Sequence, residues 1–314
     1  LIQKSVKFKD LGLIIIDEQH RFGVDQRKSL QDKGDYPNIL SMTATPIPRT
    51  LAFTIHGEMD ISWIDEMPKG RAPIITEIIY KNNIDSVFDQ MKKEMDIGHY
   101  CYMVFPLIEE SDKMDLNDAK SAYENLKKTI LKKYSLGFMH GKLTKEDKNK
   151  LMQDFNSGKI QCLISTTVIE VGIDNPNATI MVIQNAERFG LTQLHQLRGR
   201  VGRSSLQSYC YLIQYNQTDI SKKRLQIMEK TCDGFIISDE DLKLRGPGEF
   251  LGTKQHGYIS SKLIDIANDG EIIRHARITA FEIIENDPKL INHQSLKNKF
   301  LKDYKHMLEF INIG

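Results

Sequence analysis

Mostly apolar stretches recur along this chain, at 11–16, 38–42, 99–108, 135–140, 160–166, 178–186 and 208–215. Their near-continuous apolar character predicts strands buried on both faces, because a strand with one wet face alternates apolar with polar residues. Helical patterns fall between them. Segment 119–134 places Ala122, Leu126 and Ile130 at i, i+4 and i+8, with lysines on the opposite side. Segment 145–159 reads as a second helix, with Gly158 placed to stop it. Segment 191–203 starts as a third. Strands and helices in alternation imply a parallel sheet covered on both faces. The alternation occurs twice, on either side of a polar stretch, DEMPKGRAP at 65–73, which reads as a linker. It stops near residue 218. Short helices and one Gly-rich loop, RGPGEFLGTKQHG at 245–257, take over from there.

Composition narrows the class. A chain of 314 residues suffices for about two domains. Hydrophobic residues at 40% and charged residues at 27% are ordinary for a globular protein. The net charge is only +1, so any nucleic-acid surface must be a local basic patch. Cys101, Cys162, Cys210 and Cys232 lie far apart without CxxC spacing. This argues against a zinc knuckle or a disulfide framework and for a reducing, cytoplasmic setting. His20, His140 and His195 lack the HExxH spacing of a zinc helix. No apolar run reaches the roughly 18–20 residues that a membrane helix needs. The sequence opens at Leu1 inside what reads as structured chain, so a piece of a longer protein is expected.

Three segments carry chemistry. The run LIII at 13–16 ends on Asp17 and Glu18. Ligands of open α/β sheets sit beyond the carboxyl ends of strands. There one carboxylate can hold a Mg²⁺ that bridges phosphates, and a second can orient the attacking water. A solvated strand end is the plain alternative. In TTVIEVGIDNPN at 166–177, Gly172 allows close backbone approach, Asp174 could accept from a ribose, and Thr166 and Thr167 could reach phosphates; the alternative is a turn. In QLRGRVGR at 196–203, Arg200 and Arg203 are three apart, so on a helix both face one way. Two interleaved glycines make a poor ordinary helix, and planar guanidinium groups suit phosphate. Acids in one sheet unit and arginines in the next describe a nucleotide cleft split between two lobes.

At this point the chain resembles the motor of a superfamily 2 helicase. DEQH resembles motif II, TATPIPRT motif III, TTVIEVGID motif V and HQLRGRVGR motif VI. Together with HGKL, AERFGLTQLHQLRGRVGR and DGFIISDEDLKLRGPGEFLGTKQHG, the ordered set is similar to the RecG family of branched-DNA helicases. The resemblance implies an α/β fold of RecA-like P-loop NTPase lobes, an incomplete first one at 1–65 and a complete parallel-sheet second at 66–218. A helical and loop translocation region follows at 219–314. It also implies ATP and Mg²⁺ as cofactors, with Asp17 the Mg²⁺ carboxylate and Glu18 the water-activating one. Gln19 and His20 complete that motif. Thr43 and Thr45 couple nucleotide state to DNA. Thr166, Glu170, Gly172 and Asp174 read nucleotide and DNA, and Gln196, Arg200 and Arg203 face the γ-phosphate. In the tail, Arg245, Gly246, Gly248, Glu249 and Gln255 match the translocation motif. Branched double-stranded DNA is the implied partner, single-strand-binding protein a further one, and the implied state is a monomer.

The chain departs from the family in one respect that changes the chemistry. It contains no G-x-x-x-x-G-K-[ST], and the family's wedge domain is absent as well. Without that phosphate-cradling loop this polypeptide alone is expected not to hydrolyse ATP at a useful rate. Residues 1–65 also hold too few strands for a finished lobe, and that segment is expected to be aggregation-prone when cut. Two other readings stay open. One is a transcription-repair coupling translocase, which usually has Glu where Gln19 stands; the other is a non-hydrolysing DNA-binding module.

Overall fold

In the computed structural model the described residues are all except 4, 19–21, 45–46, 49–51, 53–58, 69, 107–111, 167–174, 247–264, 266–268 and 312–314. Every apolar run of the sequence contains a strand. β1 (Leu13–Ile16) and β2 (Asn38–Ser41) pair in parallel, Leu13 opposite Asn38 and Ile16 opposite Ser41, with α1 (Val24–Gln31) between them. Met42 N–H donates to Ile16 O at 2.8 Å and carries the pairing one step past the strand ends. Ile14 and Ile16 are buried, whereas Leu13, Ile15 and Leu40 are about half exposed.

The larger sheet has six parallel strands in the order β3-β8-β7-β4-β6-β5. They are β3 (Ile75–Tyr80), β4 (Tyr100–Phe105), β5 (Leu136–Met139), β6 (Cys162–Thr166), β7 (Ala178–Ile183) and β8 (Tyr209–Gln214). β3 was not predicted. Its sequence ITEIIY interleaves polar residues, as suits an edge strand with half its positions exposed. Glu229 Oε1 accepts from Ile78 N–H at 3.2 Å, which occupies one of the donors an edge strand otherwise leaves open.

Successive strand residues point to opposite faces, and each face meets its own set of helices. Tyr102, Val104, Leu163, Met181, Ile183 and Leu212 face α4 (Lys145–Asn156), α5 (Leu191–Arg198), α6 (Asp219–Lys230) and α7 (Gly234–Arg245). Cys101, Met103, Ile164, Ile180, Val182 and Ile213 face α2 (Ile84–Asp96) and α3 (Asp112–Lys128). The pairing is two-sided, as the unbroken apolar runs require.

Two helices differ from expectation. α3 spans 112–128 rather than 119–134, so Ile130 lies past its end and is exposed. Leu131, in the turn that follows, takes the interior place, and among the helix's described side chains Ala119 and Leu126 are buried. α5 stops at Arg198, with Gly199 as its C-cap. α4 begins on Thr144, whose hydroxyl accepts from Asp147 N–H at 3.1 Å, and ends before Gly158 at φ +81.

The chain divides into two compact units. One comprises Leu1–Pro46 and Ile64–Leu244, so α6 and α7 belong with the sheet, where Leu225, Met228 and Ile237 enter its core. The other comprises Ile47–Trp63 and Arg245–Gly314 and holds α8 (Gly270–Asn286) and α9 (Gln294–Ile311). Within it, Arg277 Nη2 donates to Met59 O at 3.0 Å. The joint between α8 and α9 is organised by Asp287, which accepts from the amides of Ile291 and Asn292, both at 2.7 Å. His293 Nδ1 lies 3.0 Å from the same carboxylate.

Candidate functional site

The chain direction of β1 places Asp17 and Glu18 immediately beyond its carboxyl end, beside the residues that follow β2. Glu18 has φ +51, a left-handed conformation that costs a non-glycine residue roughly 1–3 kcal/mol. Its amide donates to Asp17 Oδ1 at 2.9 Å. Its own carboxylate faces the second strand end: Oε2 accepts from Thr43 Oγ1 at 3.3 Å and from Ala44 N–H at 3.4 Å. Both bonds are long, and Glu18 is only half-buried. Asp17 is exposed. A single hard-oxygen carboxylate fits Mg²⁺, which takes one or two protein ligands and leaves the rest to phosphates and water. Among the described residues no group of three metal-ligating side chains occurs, so a site dedicated to a resident metal is not formed there.

The arginines lie at the opposite end of their sheet. Because α5 stops at Arg198, Arg200 and Arg203 do not share a helix face; they belong to the turn after it. That turn is tightly held. Arg200 N–H donates to Leu197 O at 3.0 Å, Val201 N–H to Arg198 O at 3.2 Å and Arg203 Nε to Gly199 O at 3.0 Å. Gly202 has φ +71, and a Cβ there would stand 2.7 Å from Ile74 Cγ1, so only glycine fits. Ile74 precedes β3, and Ser204 Oγ donates to Pro176 O just before β7. Arg200 and Arg203, both half-buried, therefore mark the amino edge of the six-stranded sheet. The carboxyl-end rule that locates Asp17 does not locate them. Gln196, on the last turn of α5, is half-buried.

The carboxyl edge carries a different chemistry. Thr166 ends β6, and its Oγ1 and that of Ser165 are buried with no hydrogen-bond partner. His140, directly after β5, has a buried Nδ1 in the same condition. Leaving such groups unpaired costs roughly 1–3 kcal/mol each, which a ligand that pairs them recovers. Burial pushes the His140 imidazole below its ordinary value, and Lys142, Lys148 and Lys120 push it further down. Those three lysines also supply the local positive charge that the near-neutral chain lacks overall. From the sequence, His140 reads equally as a DNA-backbone or interdomain contact and as a turn histidine. The signal was present in its position at a strand end beside Gly141.

Of the remaining expected site residues, Thr43 is placed beside Glu18, and Arg245 is the exposed last residue of α7. Gln19, His20, Thr45, Thr167, Glu170, Gly172, Asp174, Gly248, Glu249 and Gln255 lie outside the described residues.

Comparison with known proteins covers nearly the whole chain. Residues 86–205 match the family described as helicase conserved C-terminal domain, and residues 231–310 match the C-terminal part of domain 3 of ATP-dependent DNA helicase RecG. The chain is 48% identical to the ATP-dependent DNA helicase RecG of Synechocystis sp., over 98% of this chain and 37% of that protein. It is also 48% identical to that of Bacillus subtilis, over 96% of this chain and 45% of that protein. A solved structure of RecG bound to a three-way DNA junction superposes with a TM-score of 0.68 at 44% identity, covering 87% of this chain and 35% of that one. The chain thus spans less than half the length of the relatives it matches.

Proposed function

From a chain that belongs to the RecG family of ATP-dependent DNA helicases, we propose the function of a DNA motor: ATP-driven translocation on branched double-stranded DNA, serving recombination and repair. The observation that carries the reading is the 48% identity over 98% of the chain, which runs through both the sheet and the tail. The geometry supports it. Asp17 would hold Mg²⁺ at the bound nucleotide, and Glu18 would orient the attacking water. When bound, the metal supplies charge neutralisation of the phosphates. Arg200 and Arg203 stabilise the charge that develops on the transferred group, with Gln196 beside them. At the other edge, Thr166, His140 and the lysines around it pair with the DNA backbone, and phosphate contacts of this kind fix position without reading sequence. The nucleotide edge and the DNA edge of the sheet are then separate, and α7 leads from the first toward the tail.

The transcription-repair reading is the less favoured one, because the family matched in the tail is that of RecG. The test uses a chimera in which this chain replaces the matching segment of the Bacillus subtilis relative, which restores a phosphate loop. The chimera is expected to unwind a three-way junction in an ATP-dependent manner, and to leave a linear duplex of equal length largely intact. Equal action on both substrates, or on neither, refutes the branched-DNA assignment.

A further inference from the structure

Arg198 lies inside the HQLRGRVGR segment, but the motif reading gives it no role and assigns phosphate contact to Arg200 and Arg203. Yet its side chain is among the largest fully buried ones in the sheet unit, at 2% exposure. A guanidinium is almost never found there unless its donors are satisfied. Nη1 donates to Met228 O at 2.7 Å, to Thr231 O at 2.9 Å and to Thr76 Oγ1 at 3.3 Å. Nη2 meets His195 Nδ1 at 3.2 Å. His195 is held neutral, its pKa pushed down to about 4 by burial and by Arg198 itself, so Nδ1 can accept. Met228 and Thr231 lie at the carboxyl end of α6, where the helix dipole favours a cation.

The place of Arg198 in the chain gives these contacts a mechanical meaning. It is the last residue of α5, and the next residue opens the turn that bears Arg200 and Arg203. Thr231 lies three residues before α7 begins. At the other end of the same helix pair, Thr192 Oγ1 donates to Asp241 Oδ2 at 3.4 Å, and Asp241 is 2% exposed. α5 starts near the carboxyl end of β7 and finishes at the amino edge, and α7 runs back the other way. α5 is therefore tied to α7 itself only through Thr192 and Asp241; Arg198, at its other end, is tied to the carboxyl end of α6, three residues before α7 begins. α7 then delivers Arg245 and the Gly-rich segment after it.

We infer that Arg198 is a positioning residue that locks the end of α6, from which α7 follows three residues on, to the arginine-bearing turn, so that displacement of Arg200 and Arg203 by nucleotide is transmitted through α7 to Arg245. This rests on the motor reading above. The planar fork is what the site needs, since it reaches several acceptors at once; lysine keeps the charge but cannot span them.

Arg198→Lys in the 314-residue chain tests the anchoring. Amides of residues 232–245 are expected to exchange about tenfold faster, with those of β4, β6 and β7 within about twofold of the parent. In the chimera, Arg198→Lys is expected to keep ATP turnover on branched DNA within about twofold while junctions unwound per ATP fall about tenfold or more. Arg198→Met, which fills the volume without charge, is expected to follow the lysine variant in coupling. Turnover and unwinding that fall in step would overturn the inference, as would unchanged exchange in α7. A parent chimera without DNA-stimulated turnover would instead overturn the motor reading on which it rests, a result distinguishable because the unsubstituted protein already shows it.

Discussion

Glu18 shows how much one residue can carry. Its positive φ aims the carboxylate at Thr43 and Ala44, so the acid proposed to orient water is also the link between the ends of β1 and β2. In the chimera, Glu18→Gln is expected to lower turnover by about a hundredfold or more while nucleotide affinity changes little, because a general base is lost without loss of a metal ligand. Steady-state ATPase together with nucleotide titration reads this, and parallel losses in both would contradict it. His195 gives a second prediction at this scale. Its folded pKa of about 4 lies below the ordinary 6.5. The unfolded chain therefore binds the extra proton first, and stability is complete above pH 6.5 and falls as pH drops toward 4. The difference is on the order of 3 kcal/mol for a group this buried. Urea unfolding at pH 7 and pH 4.5 should show a steeper loss for the parent than for His195→Asn, which cannot titrate; equal slopes would contradict the assignment.

Elements were legible in the sequence wherever burial alone determines them. The central strands are buried on both faces and read as unbroken apolar runs, which no polar requirement interrupts. β3 escaped because an edge strand looks like its linker. The end of α5 escaped because the three-residue spacing of Arg200 and Arg203 was read on a helix, although the glycines between them already made a poor one; Gly199 is a cap and Gly202 a left-handed turn residue packed on Ile74. The acid pair was visible at a strand end; the arginine edge was not, since it depends on where a crossover helix finishes. Gly158 was legible as a stop, and the structure adds a second reason: a Cβ there would stand 2.6 Å from Tyr100 Oη. Gly158→Ala is expected to cost about 2 kcal/mol through strain and that clash together, read as a lowered urea midpoint. The α8–α9 joint is sensitive to acid. His293 and the amides of Ile291 and Asn292 hold the Asp287 carboxyl below its ordinary value. Its contribution is present above about pH 3.8 and is lost as pH falls through the lower folded value. Asp287→Ala at neutral pH should expose the Ile291 and Asn292 amides to exchange about tenfold faster; unchanged protection would show that the turn holds without it.

For the molecule as a whole, the sequence argues more than a fold. It supplies one acid-bearing strand pair, one complete helicase sheet and a tail unit, but no phosphate loop. The 314-residue chain alone is expected to show no DNA-stimulated ATP hydrolysis above background, whereas the chimera should. The central claim is that Asp17 and Glu18 on one side and Arg200 and Arg203 on the other act on a single triphosphate. The most direct measurement is ATP turnover of the chimera on branched DNA, with and without Arg203→Ala. A loss of about a thousandfold is expected, the magnitude typical of an arginine that stabilises phosphoryl transfer. Turnover within about twofold of the parent, at equal DNA affinity, would contradict it.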